Sequence, residues 1–195
     1  MEALNQQWFL SINADGASPA WLLAFAAFAA DYLLYGVPVM LAGLWLWGQQ
    51  REAAVKALFV TLIALGIGQL IGLVYMHPRP FMIPLGHSFA LHAPDTSFPS
   101  DHGILFFSVS LALMLGGARL WGSLVFVVGL VVVWSRVYLG IHFPFDMAGA
   151  LLVAIASSMI VWAAWNPLGR WLMGLVERLY RRMFVVPIAK GWIRE

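Results

Sequence analysis

The sequence predicts an all-α integral membrane protein: a single domain over residues 1–195, built as a bundle of five or six transmembrane helices with interfacial helices at both termini. Of its 195 residues, 62% are hydrophobic and only 10% are charged, whereas a soluble domain carries about 25% charged residues. So few charges cannot cover a water-facing surface of this size, and lipid is therefore the expected solvent. The apolar residues also fall into segments close to the roughly 20 residues that a bilayer requires.

Five apolar segments are predicted to span the membrane. They are Tyr32–Trp47, Ala54–Tyr75, Gly103–Gly117, Trp121–Tyr138 and Phe145–Trp165. Residues 1–30 are predicted to form an interfacial or re-entrant segment, in which Met1–Ile12 is a short interfacial helix. The apolar stretch Pro19–Ala30 is too short to span alone. It either lies in the interface, lengthens the first span, or is re-entrant and gives a sixth.

Lys and Arg residues predict the orientation of the bundle, because cytoplasmic loops are enriched in them. Nine of the eleven fall on one side of the five-span layout: Arg51, Lys56, Arg119, Arg170, Arg178, Arg181, Arg182, Lys190 and Arg194. The last six lie in residues 166–195, mixed with Trp, Leu and Phe, which predicts an amphipathic cytoplasmic tail on the membrane surface. The nine-cation side is therefore predicted to be cytoplasmic.

The opposite end of the predicted bundle collects ionisable groups. It carries the two remaining cations, Arg79 and Arg136, together with all five histidines of the chain. An ionisable cluster at one end of an apolar bundle predicts a functional site. The long polar connection His77–Pro99 lies at the same end, and a loop of that length is usually functional or mobile.

Two features at this end suit the binding of an anion such as phosphate. Arg79 and Arg136 offer guanidinium forks, which hold phosphate oxygens in a fixed geometry. Ser100 is the predicted N-cap of the third span, where free amides and the helix dipole favour an anion. Each residue alone also has a plainer explanation, because an Arg near a span end commonly reaches to lipid headgroups and a Ser at a helix start commonly only caps it.

Two histidines and one aspartate could carry out phosphoryl transfer. Asp146 follows His142 by four residues, one helical turn if the fifth span begins there. Its carboxylate could bind one ring nitrogen and leave the other free to attack, as the aspartate of a catalytic triad does. His102 is the candidate proton donor to the leaving group. The plainer alternative is that Asp146 only caps the fifth span.

These residues resemble the three-part signature of the type 2 phosphatidic acid phosphatase superfamily. That signature is Lys, six residues and Arg-Pro; then Pro-Ser-Gly-His; then Ser-Arg, five residues, His, three residues and Asp. The third part is complete, as Ser135, Arg136, His142 and Asp146. The second part reads Pro99-Ser100-Asp101-His102, with Asp in place of Gly. The first part keeps Arg79-Pro80, but Gly72 occupies the lysine position.

The resemblance implies a phosphohistidine mechanism without a metal ion or other cofactor. It implies that His142 attacks phosphorus, that His102 is the general acid and that Asp146 orients His142. The implied phosphate ligands are Arg79, Ser100, Arg136 and amides near Asp101. His77 and His87 are candidates to replace the missing lysine, and the Asp101 carboxylate is expected to turn away from the anion or to bind an arginine.

Within the superfamily, the string Ser97-Phe98-Pro99-Ser100-Asp101-His102 resembles bacterial undecaprenyl-diphosphate phosphatases of the bacitracin-resistance type. This implies a polyprenyl diphosphate substrate at the outer face of the bacterial cell membrane and recycling of the carrier lipid for peptidoglycan synthesis.

Other functions remain open at this point. The expected partners are a lipid phosphate and membrane lipids, and the net charge of +2 is too small to indicate nucleic-acid binding. One alternative is a phosphatase for phosphatidylglycerol phosphate, phosphatidic acid or lipid A. Another is a transporter of anionic lipids, and a third is an inactive binding protein, since Gly72 breaks the first motif.

Overall fold

The computed structural model describes residues 1–47 and 50–195, and the regular structure in these ranges is helical. Eight α-helices follow one another in these ranges: α1 Glu2–Ile12, α2 Ala20–Tyr32, α3 Gly36–Leu46, α4 Arg51–Val74, α5 Asp101–Leu115, α6 Arg119–Tyr138, α7 Pro144–Met183 and α8 Val185–Ala189. Short 3-10 turns occupy Leu33–Tyr35 and Pro80–Met82. The predicted all-α class is confirmed.

Four helical runs are long and apolar enough to cross a membrane, so the chain is a multi-pass membrane protein. They are Ala20–Leu46, Arg51–Val74, Arg119–Tyr138 and Pro144–Met183. Helix α5 is also apolar but has only 15 residues, and it packs against α4, α6 and α7. Because α5 is surrounded by other helices, its short length is compensated by protein contacts, and the bundle has five apolar members.

The first run begins earlier than the sequence predicted. Helix α2, one 3-10 turn and α3 form a continuous stretch of 27 residues, whereas the expected span started at Tyr32. Asp31, which suggested a boundary, is simply an exposed residue near the end of α2. The arrangement fits the alternative in which Pro19–Ala30 lengthens the first span. It leaves no separate helix for a sixth span within residues 1–47 and 50–195.

Helix α7 extends well beyond its expected end at Trp165. It runs for 40 residues and contains Pro167 in its interior, so the predicted tail begins as a continuation of the fifth span. The continuation is tied to the start of α4, where the Arg51 guanidinium lies 4.8 Å from the ring centroid of Tyr180. Arg51 also donates to the carbonyl oxygens of Arg194 and Glu195, after α8, at 2.7 and 2.8 Å. The apolar length of a segment predicts where lipid ends, whereas a helix can persist into water.

Small residues let the helices approach closely around α5. A Cβ on Gly103 would lie 2.8 Å from the Cβ of Ala150 on α7, and a Cβ on Gly129 of α6 would lie 2.8 Å from the Cβ of Phe106. Close backbone approach at small residues is a main source of helix association in lipid. The Gly103 contact brings the first turn of α5 against the first turns of α7, at the end of the bundle that carries the histidines.

The N-terminal helix α1 packs on protein loops at that same end. Phe9 is fully buried and meets Phe143 edge-on, with ring centroids 5.3 Å apart. The Asn5 side-chain oxygen accepts from the backbone N–H of Phe145 at 3.0 Å. Beyond α1, the Asn13 amide donates to the carbonyl oxygens of His87 in the long loop and of Tyr138 at the end of α6, at 2.9 and 3.0 Å. These contacts fix the loop between α6 and α7. The sequence predicted an interfacial helix at Met1–Ile12 but not its packing on this loop.

The cation distribution leads to a test of orientation. The chain contains no cysteine, so single-cysteine variants give an unambiguous label. We expect Ser88→Cys, in the exposed loop at the histidine end, to react with a membrane-impermeant maleimide in intact cells. Ala189→Cys, at the basic end, should react only after the cells are permeabilised. Both positions are exposed, and the opposite labelling pattern would show that the orientation is wrong.

Candidate active site

His142 and Asp146 form a buried pair where the α6–α7 loop meets α7. Their side chains are almost completely buried, and His142 Nδ1 lies 3.2 Å from Asp146 Oδ2. The same carboxylate oxygen accepts from the backbone N–H of Phe143 at 2.8 Å and from the Ser97 hydroxyl. His142 lies two residues before α7 begins at Pro144, so the pair does not share one turn of a helix as expected. Asp146 instead reaches back from the first turn of α7, accepts from the N-cap residue Phe143 and holds the imidazole in one orientation.

The partner of Nδ1 defines the tautomer of His142. Nδ1 faces the Asp146 carboxylate, so it carries the proton of the neutral ring, and Nε2 keeps its lone pair. Nη1 of Arg79 lies against the face of the ring, 3.0 Å from Nε2 and 3.5 Å from Nδ1. Burial, together with the positive charges of Arg79 and Arg136, holds the pKa of His142 well below its usual value. A neutral imidazole with a free Nε2 lone pair is the form required of a nucleophile.

Arg79 is buried and fixed from several directions. Its Nη1 donates to the carbonyl oxygen of Ile141 at 3.2 Å, and its Nη2 donates to that of Thr96 at 3.1 Å. Its Nε donates to the exposed carboxylate of Asp95 at 2.8 Å. The backbone carbonyls orient the guanidinium, which also contacts His142. Asp95 supplies the negative charge that a bound anion would otherwise provide.

Arg136 is buried near the same histidine and is incompletely paired. It lies in the last turn of α6 with 4% of its surface exposed. Its Nε is buried and has no hydrogen-bond partner in the described ranges, and its charge acts on His142. A buried charge without a partner is costly. An anion at this position would complete the hydrogen bonding of Arg136.

The start of α5 contributes a helix N-terminus, as the sequence predicted. Ser100 is the N-cap, and its fully buried hydroxyl oxygen accepts from the backbone N–H of Gly103 at 3.3 Å. Its hydroxyl proton remains a possible donor to an anion. The Asp101 carboxylate accepts from Nε2 of Gln69 at 3.1 and 3.2 Å. Of the two expectations for this carboxylate, the arginine partner is not found among the described residues, and an amide on α4 binds it instead. The first amides of α5 have no preceding turn to bond.

The site consists of two neighbouring cavities. One, of about 310 Å³, is lined by Arg79 and His142, and the other, of about 340 Å³, is lined by His102. Both are bordered by the hydrogen-bonded pair Gln69 and Asp101. The remaining lining of the His102 cavity is apolar: Leu34, Leu65, Leu105 and Phe106. The two cavities therefore suit an amphiphilic phosphate ester, with its charged end beside Arg79 and its apolar part beside His102.

Thr96, a residue of the long loop, packs against Gly72, which occupies the position of the family lysine. Gly72 is buried in α4 and lines the Arg79 cavity. A Cβ at Gly72 would lie only 2.8 Å from the methyl group of Thr96, so a longer side chain would require Thr96 to move. The carbonyl of Thr96 also orients Arg79. The loop thus occupies the space that a lysine side chain would need.

Neither candidate replacement for the lysine lies at the cavity. His77 is placed behind Asp146, with Nδ1 3.9 Å from Asp146 Oδ1 and Nε2 3.4 Å from Glu2 Oε2. His87 is exposed, and neither histidine is among the residues that line the cavity. The expectation that one of them replaces the lysine is wrong, because the loop carries both side chains away from the Arg79 cavity.

Three residues at the site were not predicted as site residues. Ser97 is fully buried and bonds to Asp146, Asp95 forms the ion pair described above, and His92 lies with its ring centroid 6.4 Å from that of His142. Burial lowers the pKa of His92, and two nearby guanidinium groups lower it further. The only signal in the sequence was their place in the polar loop before Ser100, and their contacts depend on how that loop folds.

Within residues 1–47 and 50–195, no group of three or more His, Cys, Asp or Glu side chains is arranged to hold a metal ion.

Comparison with known proteins gives consistent matches. The family model described as the PAP2 superfamily matches residues 53–170, which include every predicted site residue. The putative undecaprenyl-diphosphatase YbjG of Escherichia coli (strain K12) is 39% identical over 198 residues, covering 100% of both chains. The undecaprenyl-diphosphatase BcrC of Bacillus subtilis (strain 168) is 32% identical, covering 91% of this chain and 92% of its own.

A solved structure shares the arrangement of helices. The crystal structure of LpxE from Aquifex aeolicus superposes with a TM-score of 0.66 over 82% of this chain and 95% of that chain. Its sequence identity is 23%, so the likeness concerns the fold.

The incomplete pairing of Arg136 leads to a prediction about anion binding. We expect vanadate to raise the Tm of the wild-type protein, since a ligand at 100 times its Kd stabilises by about 2.7 kcal/mol. Arg136→Gln should keep or raise the Tm of the free protein, because a buried unpaired charge is removed, but vanadate should no longer stabilise it. Arg119→Gln, at an exposed arginine of the same helix, is the control. Equal stabilisation of Arg136→Gln and wild type by vanadate would contradict the assignment.

Proposed function

This chain belongs to the PAP2 superfamily and is a lipid phosphatase, and we propose that it hydrolyses undecaprenyl diphosphate to undecaprenyl phosphate and inorganic phosphate. Two relatives that align over nearly their whole lengths carry names for this activity. The observation that carries the proposal is the pair of cavities on the two sides of Gln69 and Asp101. One can take a charged diphosphate end and the other can take the start of an apolar chain.

In the first proposed step, His142 becomes phosphorylated. The Nε2 lone pair attacks the terminal phosphorus, and the bond from phosphorus to the bridging oxygen breaks. His102 donates a proton to that oxygen as it leaves with the lipid phosphate. Arg79 and Arg136 hold the non-bridging oxygens, whose charge is best stabilised by fixed donors. Asp146 stabilises the positive charge that develops on the His142 ring.

In the second proposed step, water releases the phosphate. His102, which has lost its proton, accepts one from the attacking water. The new oxygen–phosphorus bond forms while the phosphorus–nitrogen bond breaks, and the electron pair returns to Nε2 of His142. Inorganic phosphate then leaves, and Asp95 can pair with Arg79 again at the 2.8 Å distance of the free protein. The residues return to their starting protonation states.

We further propose that the site faces the outer side of the bacterial cell membrane. The cation distribution supports this orientation, because the basic end of the bundle carries nine of the eleven Lys and Arg residues. A site on the outer side would regenerate the monophosphate carrier lipid where the diphosphate is released. Recycling of that carrier for peptidoglycan synthesis follows from this placement.

A substrate panel tests the proposed activity. Purified protein is assayed for phosphate release from undecaprenyl diphosphate, phosphatidylglycerol phosphate, phosphatidic acid and lipid A. We expect kcat/KM to be highest for undecaprenyl diphosphate by about tenfold or more, because two differing parts of the substrate are recognised. A preference for one of the other lipids would overturn the substrate. No release from any of them would favour a transport or binding role.

A second experiment tests the covalent intermediate. With 4-nitrophenyl phosphate, the leaving group needs no proton donor, so His102→Ala should still be phosphorylated but should hydrolyse the intermediate slowly. We expect a burst of nitrophenolate in His102→Ala and acid-labile phosphate on residue 142. His142→Ala should lose turnover by at least about 1,000-fold and should show no burst. Phosphate attached to another residue, or wild-type turnover in His142→Ala, would contradict the mechanism.

A further inference from the structure

Two buried polar atoms face each other without a hydrogen bond beside the pair of His142 and Asp146. They are Nδ1 of His77 and Oδ1 of Asp146, which lie 3.9 Å apart. Both are inaccessible to solvent, and neither has a hydrogen-bond partner among the described residues. Buried polar atoms nearly always have a partner, so this pair of unpaired atoms requires an explanation.

The two oxygens of the Asp146 carboxylate have different numbers of hydrogen-bond partners. Oδ2 has three partners: the ring of His142, the backbone N–H of Phe143 and the hydroxyl of Ser97. Oδ1 has none, although an ionised carboxylate can accept several hydrogen bonds. The distance to His77 is about 1 Å longer than a direct hydrogen bond. A small movement of either side chain would give Oδ1 of Asp146 a hydrogen bond from His77.

The His77 ring is held with one nitrogen directed at this oxygen. It stacks on Tyr75, with centroids 5.8 Å apart and planes at 14°, and it meets Phe143 edge-on at 5.3 Å. Its other nitrogen lies 3.4 Å from the Glu2 carboxylate on α1. The charged groups facing His77 are therefore Glu2 from α1 and Asp146 from α7, and each ring nitrogen lies opposite an acceptor.

We propose that His77 is a positioning residue that donates from Nδ1 to Asp146 Oδ1 during turnover and thereby supports His142. The inference rests on the proposed phosphatase function. When Nε2 of His142 bonds to phosphorus, its ring becomes positively charged and needs an ionised Asp146 beside it. A buried carboxylate is costly unless it is hydrogen-bonded, so a donor at the empty oxygen lowers the free energy of the phosphorylated state. His77 reaches neither the substrate cavity nor the reacting atoms.

This role predicts an effect on kcat with little effect on KM. His77 acts through Asp146 on the chemical step, and it does not contact the phosphate or the lipid. Loss of an interaction made only in the transition state lowers kcat and kcat/KM equally. A purely structural role, such as ring packing between Tyr75 and Phe143, would instead depend on keeping an aromatic ring at this position.

Three substitutions separate the two roles. His77→Asn removes the ring but places an amide N–H close to the position of Nδ1. His77→Phe keeps the ring packing and removes both nitrogens. His77→Gln places its amide near the position of Nε2, towards Glu2. We expect kcat of His77→Asn to stay within about threefold of wild type and kcat of the other two to fall by about tenfold, the loss expected for one hydrogen bond to a charged group.

The outcomes are distinguishable from a failure of the proposed function. Phosphate release is measured with undecaprenyl diphosphate and with 4-nitrophenyl phosphate, and His87→Asn, at an exposed histidine of the same loop, is the matched control. If wild type is active only on the second substrate, the lipid assignment fails while the role of His77 is still measured. Wild-type kcat in His77→Phe, or a change in KM alone, would overturn the proposal. If His77→Phe does not fold, equal kcat in His77→Asn and His77→Gln overturns it instead.

Discussion

The Asp146 carboxylate is the constraint on which the rest of the site depends. One of its oxygens binds the His142 ring, the first turn of its own helix and the Ser97 hydroxyl. These contacts join α7, the α6–α7 loop and the long loop before α5. The two loops, which carry Arg79 and His142, would otherwise be free to separate, because each is connected to a different pair of helices. A buried carboxylate tolerates this position only when donors surround it.

The bundle serves mainly to bring these loops together at one membrane surface. Gly103 allows the start of α5 to approach Ala150 on α7, and this contact sets the separation between His102 on one helix and His142 before the other. Helix α1 then covers the α6–α7 loop through Phe9 and Asn5. Packing between small residues within the apolar layer therefore determines geometry at its polar rim.

Sequence alone predicted the parts of this protein that depend on local spacing. The Ser100 cap follows from helix geometry, and the long apolar segments follow from bilayer thickness. The short interval between His142 and Asp146 predicted their contact, although His142 lies in the loop before α7. Contacts between distant segments were not predictable: Ser97 at Asp146, Asp95 at Arg79, and Thr96 against Gly72. These depend on the path of the long loop, which has no periodic pattern. The ends of α2 and α7 were misjudged because apolar length reports the lipid boundary and not the limits of a helix.

The ion pair between Asp95 and Arg79 has a consequence for selectivity. The guanidinium in the free protein already has a carboxylate counter-ion on the exposed side of the cavity. An anion that binds Arg79 must displace the Asp95 carboxylate. The effective concentration of this carboxylate is high because it belongs to the same chain. Singly charged ions such as chloride gain little from the exchange, whereas a multiply charged diphosphate can replace Asp95 and engage Arg136 as well. Under the proposed function, we therefore expect selection by charge to precede the chemical step.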